Sequence, residues 1–243
     1  MAYLLGIDEA GYGPFLGPLC IGATYWEVPD ELLHDDVDLY PLLEPIVTTS
    51  LRDKTRVMIG DSKLAYKPKG GLANLERAVH CFLPKRMTSF QQWMQEVAVN
   101  WHAWSAHSPW FDEYERTLPC DLESATLVSL SQKVTTHLDD SPVRFAGARV
   151  WCIPAHRYNV LLDSFPTKGA LLSHCSLTLA QQLIESLPRV RFSFTVINTG
   201  DAINTVIFCS NYSPNIWSKF RKKAEKSVVT PGVPKTAESD VDL

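Results

Sequence analysis

The sequence lacks a long apolar run, a Cys-x-x-Cys pair and a set of histidines spaced as metal ligands. No apolar stretch approaches the roughly 18 residues that a membrane-spanning helix needs, and no positively charged leader precedes an apolar stretch near Met1, so we expect no membrane association. The six cysteines are scattered along the chain, which argues against a zinc site and predicts reduced thiols in the cytoplasm. They are Cys20, Cys81, Cys120, Cys152, Cys175 and Cys209.

A strong excess of positive charge is also missing, because 23 Lys and Arg stand against 27 Asp and Glu and the net charge is -4. The chain as a whole is therefore not a polybasic nucleic-acid binder. An acidic metal site with a few nearby lysines remains compatible with nucleic acid, since Mg²⁺ and lysine can offset phosphate charge locally. With 243 residues, 45% of them hydrophobic, the chain is long enough to bury one sizeable core.

Two adjacent carboxylates, Asp8 and Glu9, follow an apolar run near the beginning of the chain. The run Tyr3–Ile7 predicts a short buried strand, because it is apolar throughout and the glycine- and proline-rich segment Gly11–Pro18 stops it. Side chains alternate along a strand, so one carboxylate continues a row and the other reaches a site from the turn. Crowded carboxylates repel one another unless a cation such as Mg²⁺ compensates, which indicates a metal site. The alternative is that Asp8 caps a turn and Glu9 is solvated.

The glycines after this pair allow positive φ angles and close approach of another backbone, so the turn can present N–H groups to a phosphate or a sugar. The stretch Asp8-Glu9-Ala10-Gly11-Tyr12-Gly13-Pro14, with a second Gly-Pro at 17–18, resembles the opening motif of type 2 ribonuclease H (ribonuclease HII). The resemblance implies that Gly11, Tyr12 and Gly13 contact the sugar of a substrate ribonucleotide. The family usually carries arginine where this chain has Tyr12, which leaves the preference for a DNA–RNA junction open.

A second segment, Gly60-Asp61-Ser62-Lys63-Leu64, resembles the Asp-Ser-Lys motif of the same family. Asp61 or Ser62 can cap the turn that follows, the free N–H groups of that turn favour an anion, and Lys63 adds a point charge. By resemblance these residues hold a substrate phosphate. The alternative is an ordinary helix start followed by a solvated lysine.

A third stretch has helical apolar spacing with a break near Pro166. It begins at 158–162, resumes at 167–172 and continues to Leu187, and it is similar to the central helical region of the family. We expect its leucines to lie in the core. Asn159 and Lys168 face either a substrate or solvent.

The resemblance ends after the strand predicted at Val190–Ile197. In the family an aspartate at this point helps to complete the metal site, whereas this chain has Asn198, followed by Asp201 after two residues. Asparagine offers a neutral oxygen without negative charge, so metal affinity falls if Asn198 takes that position.

A shift of reading frame offers another explanation. In the shifted frame, each new codon consists of the third base of one codon and the first two bases of the next. Read in this way, the codons that can encode residues 196–208 permit Asp-Lys-His-Gly-Gly-Arg-Asn-Lys-His-Arg-Tyr-Leu. This string begins with the missing aspartate, and its Gly-Gly-Arg turn suits phosphate handling. The hypothesis is a frame slip near codon 196, which leaves the carboxylate set of the chain incomplete.

Residues 84–123 form a tryptophan-rich stretch with no equivalent in the family core. Trp93, Trp101 and Trp104 fall on one helical face together with Val97, which favours a helix that packs on the domain. The alternative is an exposed aromatic surface that stacks bases or binds a partner.

The resemblance implies a ribonuclease-H-like α/β fold over residues 1–201, with a mixed central sheet, flanking helices and the insertion at about 84–123. Residues 202–243 are predicted to be an irregular or disordered tail. The implied function is endonucleolytic cleavage of the RNA strand of RNA–DNA hybrids or of DNA with embedded ribonucleotides, with Mg²⁺ or Mn²⁺ held by Asp8 and Glu9. The alternative is a noncatalytic hybrid-binding or protein-interaction module, from a truncated or frame-shifted gene.

Overall fold

The computed structural model of the chain describes residues 1–10, 17–32, 38–60, 62–66, 71–83, 85–105, 114–187 and 205–209. Its longer strands follow apolar and β-branched segments of the sequence, as expected for elements that bury at least one face. In chain order the strands are β1 (Ala2–Ala10), β2 (Leu19–Val28), β3 (Val47–Thr48), β4 (Val57–Met58), β5 (Ala98–Val99), β6 (Arg144–Ile153) and β7 (Thr205–Cys209).

Five of these strands form one sheet in the order β5-β6-β2-β1-β7, and β3 and β4 form a second sheet. β1 and β7 run antiparallel, in a register that pairs Tyr3 with Cys209 and Ile7 with Thr205. β3 and β4 run parallel, with Val47 opposite Val57. Antiparallel and parallel pairs therefore both occur.

The helices are connected to these strands by turns and loops. In chain order they are α1 (Tyr40–Leu43), α2 (Ser62–Ala65), α3 (Ala73–Phe82), α4 (Phe90–Val97), α5 (Trp101–Ser105), α6 (Ser124–Asp140), α7 (Ala155–Leu162) and α8 (Lys168–Ser186). The prediction of a mixed α/β fold with mixed strand pairing and flanking helices is confirmed.

The chain divides into two compact units. The first unit comprises Met1 and the described parts of Thr24–Ala98 and Pro109–Arg149. The second unit comprises the described parts of Ala2–Ala23, Val99–Ser108 and Val150–Leu243.

An aromatic cluster in the first unit joins β2, α3 and β6. The ring centroids of Trp26 and Phe82 lie 5.6 Å apart and those of Trp26 and Phe145 lie 5.1 Å apart, both edge to face. Phe82 and Phe145 complete the triangle at 5.7 Å. Such pairs contribute about 0.5–1.5 kcal/mol each beyond the burial of their area. The cluster thus helps to fix α3 against the strands.

A buried carboxylate ties the beginning of α3 to the loop before α6. Glu76 is 8% exposed, and its Oε2 accepts the backbone N–H groups of Asp121 at 2.8 Å and Leu122 at 3.1 Å. Its Oε1 accepts the N–H of Cys120. A buried carboxylate is costly unless it is hydrogen-bonded, and these three donors satisfy it.

The same loop returns a hydrogen bond to the beginning of α3. Asp121 Oδ2 accepts the backbone N–H of Leu72 at 2.7 Å, one of the donors that a helix leaves unpaired at its start. Gly71 has a φ of +61°, and a Cβ added there would lie 2.5 Å from Asp121 Oδ2. Glycine at position 71 therefore meets both a backbone and a packing requirement.

The core of the second unit includes β1 and α8, which contact each other. Leu5 on β1 is fully buried and Ile7 is 3% exposed, so the strand predicted at Tyr3–Ile7 is present and continues to Ala10. Leu171 and Leu179 on α8 are fully buried. The prediction that the leucines of this region lie in the core is therefore confirmed for these residues.

The predicted break near Pro166 separates α7 from α8. α7 ends at Leu162, and α8 begins at Lys168 after Thr167, whose side-chain oxygen accepts the N–H of Ala170 at 3.1 Å. A threonine at this N-cap satisfies one of the free donors of the new helix.

Part of the chain assigned to an irregular tail forms a strand. β7 lies within residues 202–243 and pairs with β1. The remaining residues of that predicted tail lie outside the described part of the chain. The domain bounds, 1–201 with an insertion at 84–123, stay a prediction.

The tryptophan-rich stretch is not one continuous helix. α4 ends at Val97, β5 follows, and Asn100 has a φ of 59° before α5 begins. Asparagine tolerates the left-handed region better than most residues, and this conformation interrupts the helical face predicted for the tryptophans. Trp93 is half-buried and Trp101 is 8% exposed, which supports packing over stacking on a substrate.

We therefore expect Trp101→Ala to lower the free energy of unfolding by about 3–5 kcal/mol, because it leaves a cavity in place of a large buried side chain. Chemical denaturation measures the change. Tyr66→Ala is the control, since Tyr66 is 46% exposed and its loss should cost no more than about 0.5 kcal/mol. An unchanged stability together with weaker binding of an RNA–DNA hybrid would instead support an exposed stacking surface.

Candidate functional site

The carboxylate pair lies within the last residues of β1. Ile7 is buried, Asp8 is exposed and Glu9 is half-buried. Ala10 ends the strand immediately before the glycine-rich segment. The pair lies near the end of a buried strand, as predicted, but the expectation that one carboxylate reaches the site from the turn is wrong, because β1 continues to Ala10 and includes both residues.

Asp8 is oriented by the backbone that follows it. Its Oδ1 accepts the N–H of Glu9 at 2.9 Å, which orients the carboxylate. An aspartate that caps a turn makes a local bond of this kind. The bond is also compatible with Asp8 as a metal ligand, so it does not distinguish between the two interpretations.

Glu9 is unfavourably placed for a negative charge. Burial raises the pKa of Glu9 above its ordinary value, and the negative charge of Asp8 raises it further, while a hydrogen bond from the backbone opposes the shift. Two carboxylates in this relation repel each other when both are ionised. A cation beside them would relieve that repulsion.

The other residues of the first motif, Gly11, Tyr12 and Gly13, lie outside the described residues. Their predicted contact with a substrate sugar stays a prediction. Gly22 of β2 lies beside the backbone of Asp8, since a Cβ placed there would be 3.9 Å from the carbonyl oxygen of Asp8.

The second motif belongs to the first unit, whereas Asp8 and Glu9 belong to the second unit. Ser62 and Lys63 begin α2 and Asp61 lies outside the described residues, so the predicted phosphate contact of all three stays a prediction.

Side chains from two helices hold the backbone around this motif. The hydroxyl of Tyr40 on α1 donates to the carbonyl oxygen of Ile59, which precedes the motif. The amide Nδ2 of Asn74 on α3 donates to the carbonyl oxygen of Ala65 at 3.2 Å, at the end of α2. The segment is therefore tied down on both sides.

The remaining sequence candidates do not add to the described site. Asn159 on α7 and Lys168 at the start of α8 are both exposed, in keeping with surface positions. Asn198 and Asp201 lie outside the described residues.

Asp8 and Glu9 offer carboxylate oxygens, the kind of ligand that a hard divalent ion prefers. Within the described residues, no three His, Cys, Asp or Glu side chains come together as a metal-binding group. Mg²⁺ commonly keeps several waters and takes only one or two carboxylates, with further oxygens from substrate phosphates. The pair fits that pattern of binding.

One pair of chemically active side chains escaped the sequence analysis. The sulfur atoms of Cys20 on β2 and Cys152 on β6 lie 3.6 Å apart. The two residues are separated by 132 positions in the sequence, so no local spacing signals their contact. Only the adjacency of β2 and β6 brings them together.

Comparison of the chain with models of protein families, with curated proteins and with solved structures gives no match. Over the part of the chain that the structure describes, no helix combines the length and the apolar character that crossing a membrane requires.

Proposed function

We propose that this chain is a divalent-metal-dependent endonuclease of the type 2 ribonuclease H class, with a ribonuclease-H-like fold. Its proposed substrates are RNA–DNA hybrids and DNA duplexes with embedded ribonucleotides. The observation that carries the proposal is the Asp8–Glu9 pair at the end of β1, directly before the Gly-Tyr-Gly-Pro segment of the motif. The raised pKa of Glu9 supports it, because burial and the charge of Asp8 both disfavour a second negative charge unless a cation is present.

Both residues of the pair bind the metal in this proposal. Asp8 and Glu9 would hold Mg²⁺ or Mn²⁺. When bound, such an ion supplies Lewis-acid stabilisation of the phosphate and lowers the pKa of a bound water. Asp8 is held in place by the N–H of Glu9, so its orientation costs little on binding. Glu9, half-buried, presents its charge in a partly dry environment, where electrostatic interactions are stronger than in water.

A noncatalytic hybrid-binding or protein-interaction module is the second candidate. Asn198 favours it, because the family has an aspartate where this chain has a neutral side chain. A chain that kept its phosphate contacts but lacked the later carboxylate would bind a hybrid without cutting it. A frame-slipped gene would produce the same behaviour.

Cleavage of an end-labelled duplex with a single ribonucleotide tests the proposal. The duplex is incubated with the full chain in Mg²⁺, in Mn²⁺ and in EDTA, and an all-DNA duplex of the same sequence is the control. Cutting beside the ribonucleotide only when the metal is present is the expected result. Retained binding without cutting would favour the second candidate, and the gene sequence around codon 196 would then show whether Asp-Lys-His-Gly-Gly-Arg lies in the neighbouring frame. If the chain neither binds nor cuts the duplex, both the nuclease function and the hybrid-binding function are refuted.

A further inference from the structure

The second unit holds a pair of free thiols on neighbouring strands. Cys20 of β2 and Cys152 of β6 have their sulfur atoms 3.6 Å apart. A disulfide has an S–S distance of about 2.0 Å, so side-chain rotation has to close roughly 1.6 Å. The two strands are already neighbours in the sheet.

The two thiols are chemically unequal. Cys20 is half-buried, whereas Cys152 is 8% exposed, so a small oxidant in solution reaches Cys20 first. A hydrogen bond from Cys152 lowers the pKa of Cys20, and the same contact together with burial raises the pKa of Cys152. The thiolate is the nucleophilic form of cysteine, so Cys20 is suited to react first and Cys152 to react second.

The other cysteines with described side chains lack these properties. Burial raises the pKa of Cys175 to about 12 and also raises the pKa of Cys81. The pKa of Cys120 is raised as well, by burial and by the charge of Glu76. Among the described cysteine side chains, Cys20 therefore combines partial exposure, a lowered pKa and a thiol partner.

We propose that Cys20 and Cys152 are an oxidisable thiol pair, which a peroxide converts into a disulfide that joins β2 to β6. The Cys20 thiolate attacks one oxygen of hydrogen peroxide, the O–O bond breaks, hydroxide leaves, and Cys20 becomes a sulfenic acid. The sulfur of Cys152 then attacks the sulfur of Cys20, the S–O bond breaks, and water leaves with the thiol proton. Two thiols lose two electrons, and one peroxide is reduced to two waters.

The bond would be reversible in a reducing compartment, where thiol reductants restore both cysteines. It would fasten β6 to the strand that lies beside Asp8, since Gly22 follows Cys20 by two positions on β2. The proposal concerns thiol chemistry alone and does not depend on nuclease activity.

Peptide mapping of the oxidised full chain tests this proposal directly. The chain is reduced, freed of reductant, exposed to hydrogen peroxide, blocked with an alkylating agent and digested with trypsin. Trypsin releases Cys20 in the peptide 1–52 and Cys152 in the peptide 150–157, and each peptide contains one cysteine. The expected result is a linked pair of these two peptides in place of the two free peptides, and dithiothreitol should separate the pair.

Matched variants make the assignment specific. Cys20→Ser and Cys152→Ser should each abolish the linked peptides, whereas Cys175→Ser, which changes a fully buried cysteine outside the pair, should retain them. The wild-type map does not depend on how well any variant folds. The proposal fails if peroxide links other cysteines, joins two chains, or takes Cys20 to the sulfinic acid without forming the bond to Cys152.

Discussion

Replacement of Asp8 by asparagine is expected to lower kcat/KM for metal-dependent cleavage by about a hundredfold or more. A bound divalent ion stabilises the charge of the transition state by several kcal/mol, and each 1.36 kcal/mol corresponds to about a tenfold change in rate. Asparagine keeps an oxygen at the site but removes the negative charge that Mg²⁺ favours. Initial rates on the duplex with a single ribonucleotide measure the effect, under conditions where substrate is well below KM.

The fold should survive this change. The side chain of Asp8 is exposed, and Oδ1 of asparagine can accept the N–H of Glu9 as Oδ1 of aspartate does at 2.9 Å. The substitution thus removes a charge and preserves the shape and the local hydrogen bond. Equal melting temperatures of wild type and Asp8→Asn would verify that any loss of activity is local.

Asp139→Asn provides the matched control, because Asp139 is an exposed carboxylate on α6 and has no place in the proposed site. Its activity should equal that of the wild type. The assignment of Asp8 is refuted if Asp8→Asn cleaves as fast as the wild type, or if both variants lose activity to the same degree.

The sequence was informative where local patterns determine structure. The apolar run before Asp8 predicts β1, and the leucine spacing around Pro166 predicts two helices with a break between them. Both patterns reflect burial of one element against its neighbours, which a single stretch of sequence records. The sequence places the carboxylate pair just after the strand, whereas β1 continues to Ala10 and includes the pair.

Features that depend on distant segments could not be predicted in this way. β7 pairs with β1 across nearly the whole length of the chain, and its five residues carry no local mark of that partner. The contact between Cys20 and Cys152 likewise requires the order of strands in the sheet. The break between α4 and α5 depends on the left-handed conformation of Asn100, which the helical spacing of the tryptophans does not reveal.

Glu76 illustrates the same limit in the first unit. Acidic residues are common in the first turn of a helix, where they interact favourably with its dipole, so the sequence alone gives Glu76 an ordinary surface role. In the structure its carboxylate is buried and accepts N–H groups from a loop 44–46 positions later in the chain. Its importance for stability comes from those distant donors.

We expect Glu76→Ala to lower the free energy of unfolding by about 3 kcal/mol or more. The alanine variant leaves the N–H groups of Cys120, Asp121 and Leu122 without their acceptor, and a hydrogen bond to a charged group contributes about 1.5–3 kcal/mol. This loss is a large part of the 5–15 kcal/mol that typically separates folded from unfolded states. Urea denaturation followed by far-UV circular dichroism measures it.

The loss should depend on the acceptor oxygens as well as on the volume of the side chain. Glu76→Gln has nearly the same shape but turns an NH₂ group toward backbone donors, so it should also destabilise the chain, although one oxygen remains as an acceptor. Glu96→Ala is the control, since Glu96 is exposed on α4 and forms only a surface ion pair with Lys85 at 3.7 Å. Such pairs contribute at most about 1 kcal/mol. If Glu76→Ala is no more destabilising than Glu96→Ala, the carboxylate does not hold the loop to α3, and the packing of α3 on α6 must position the loop by itself.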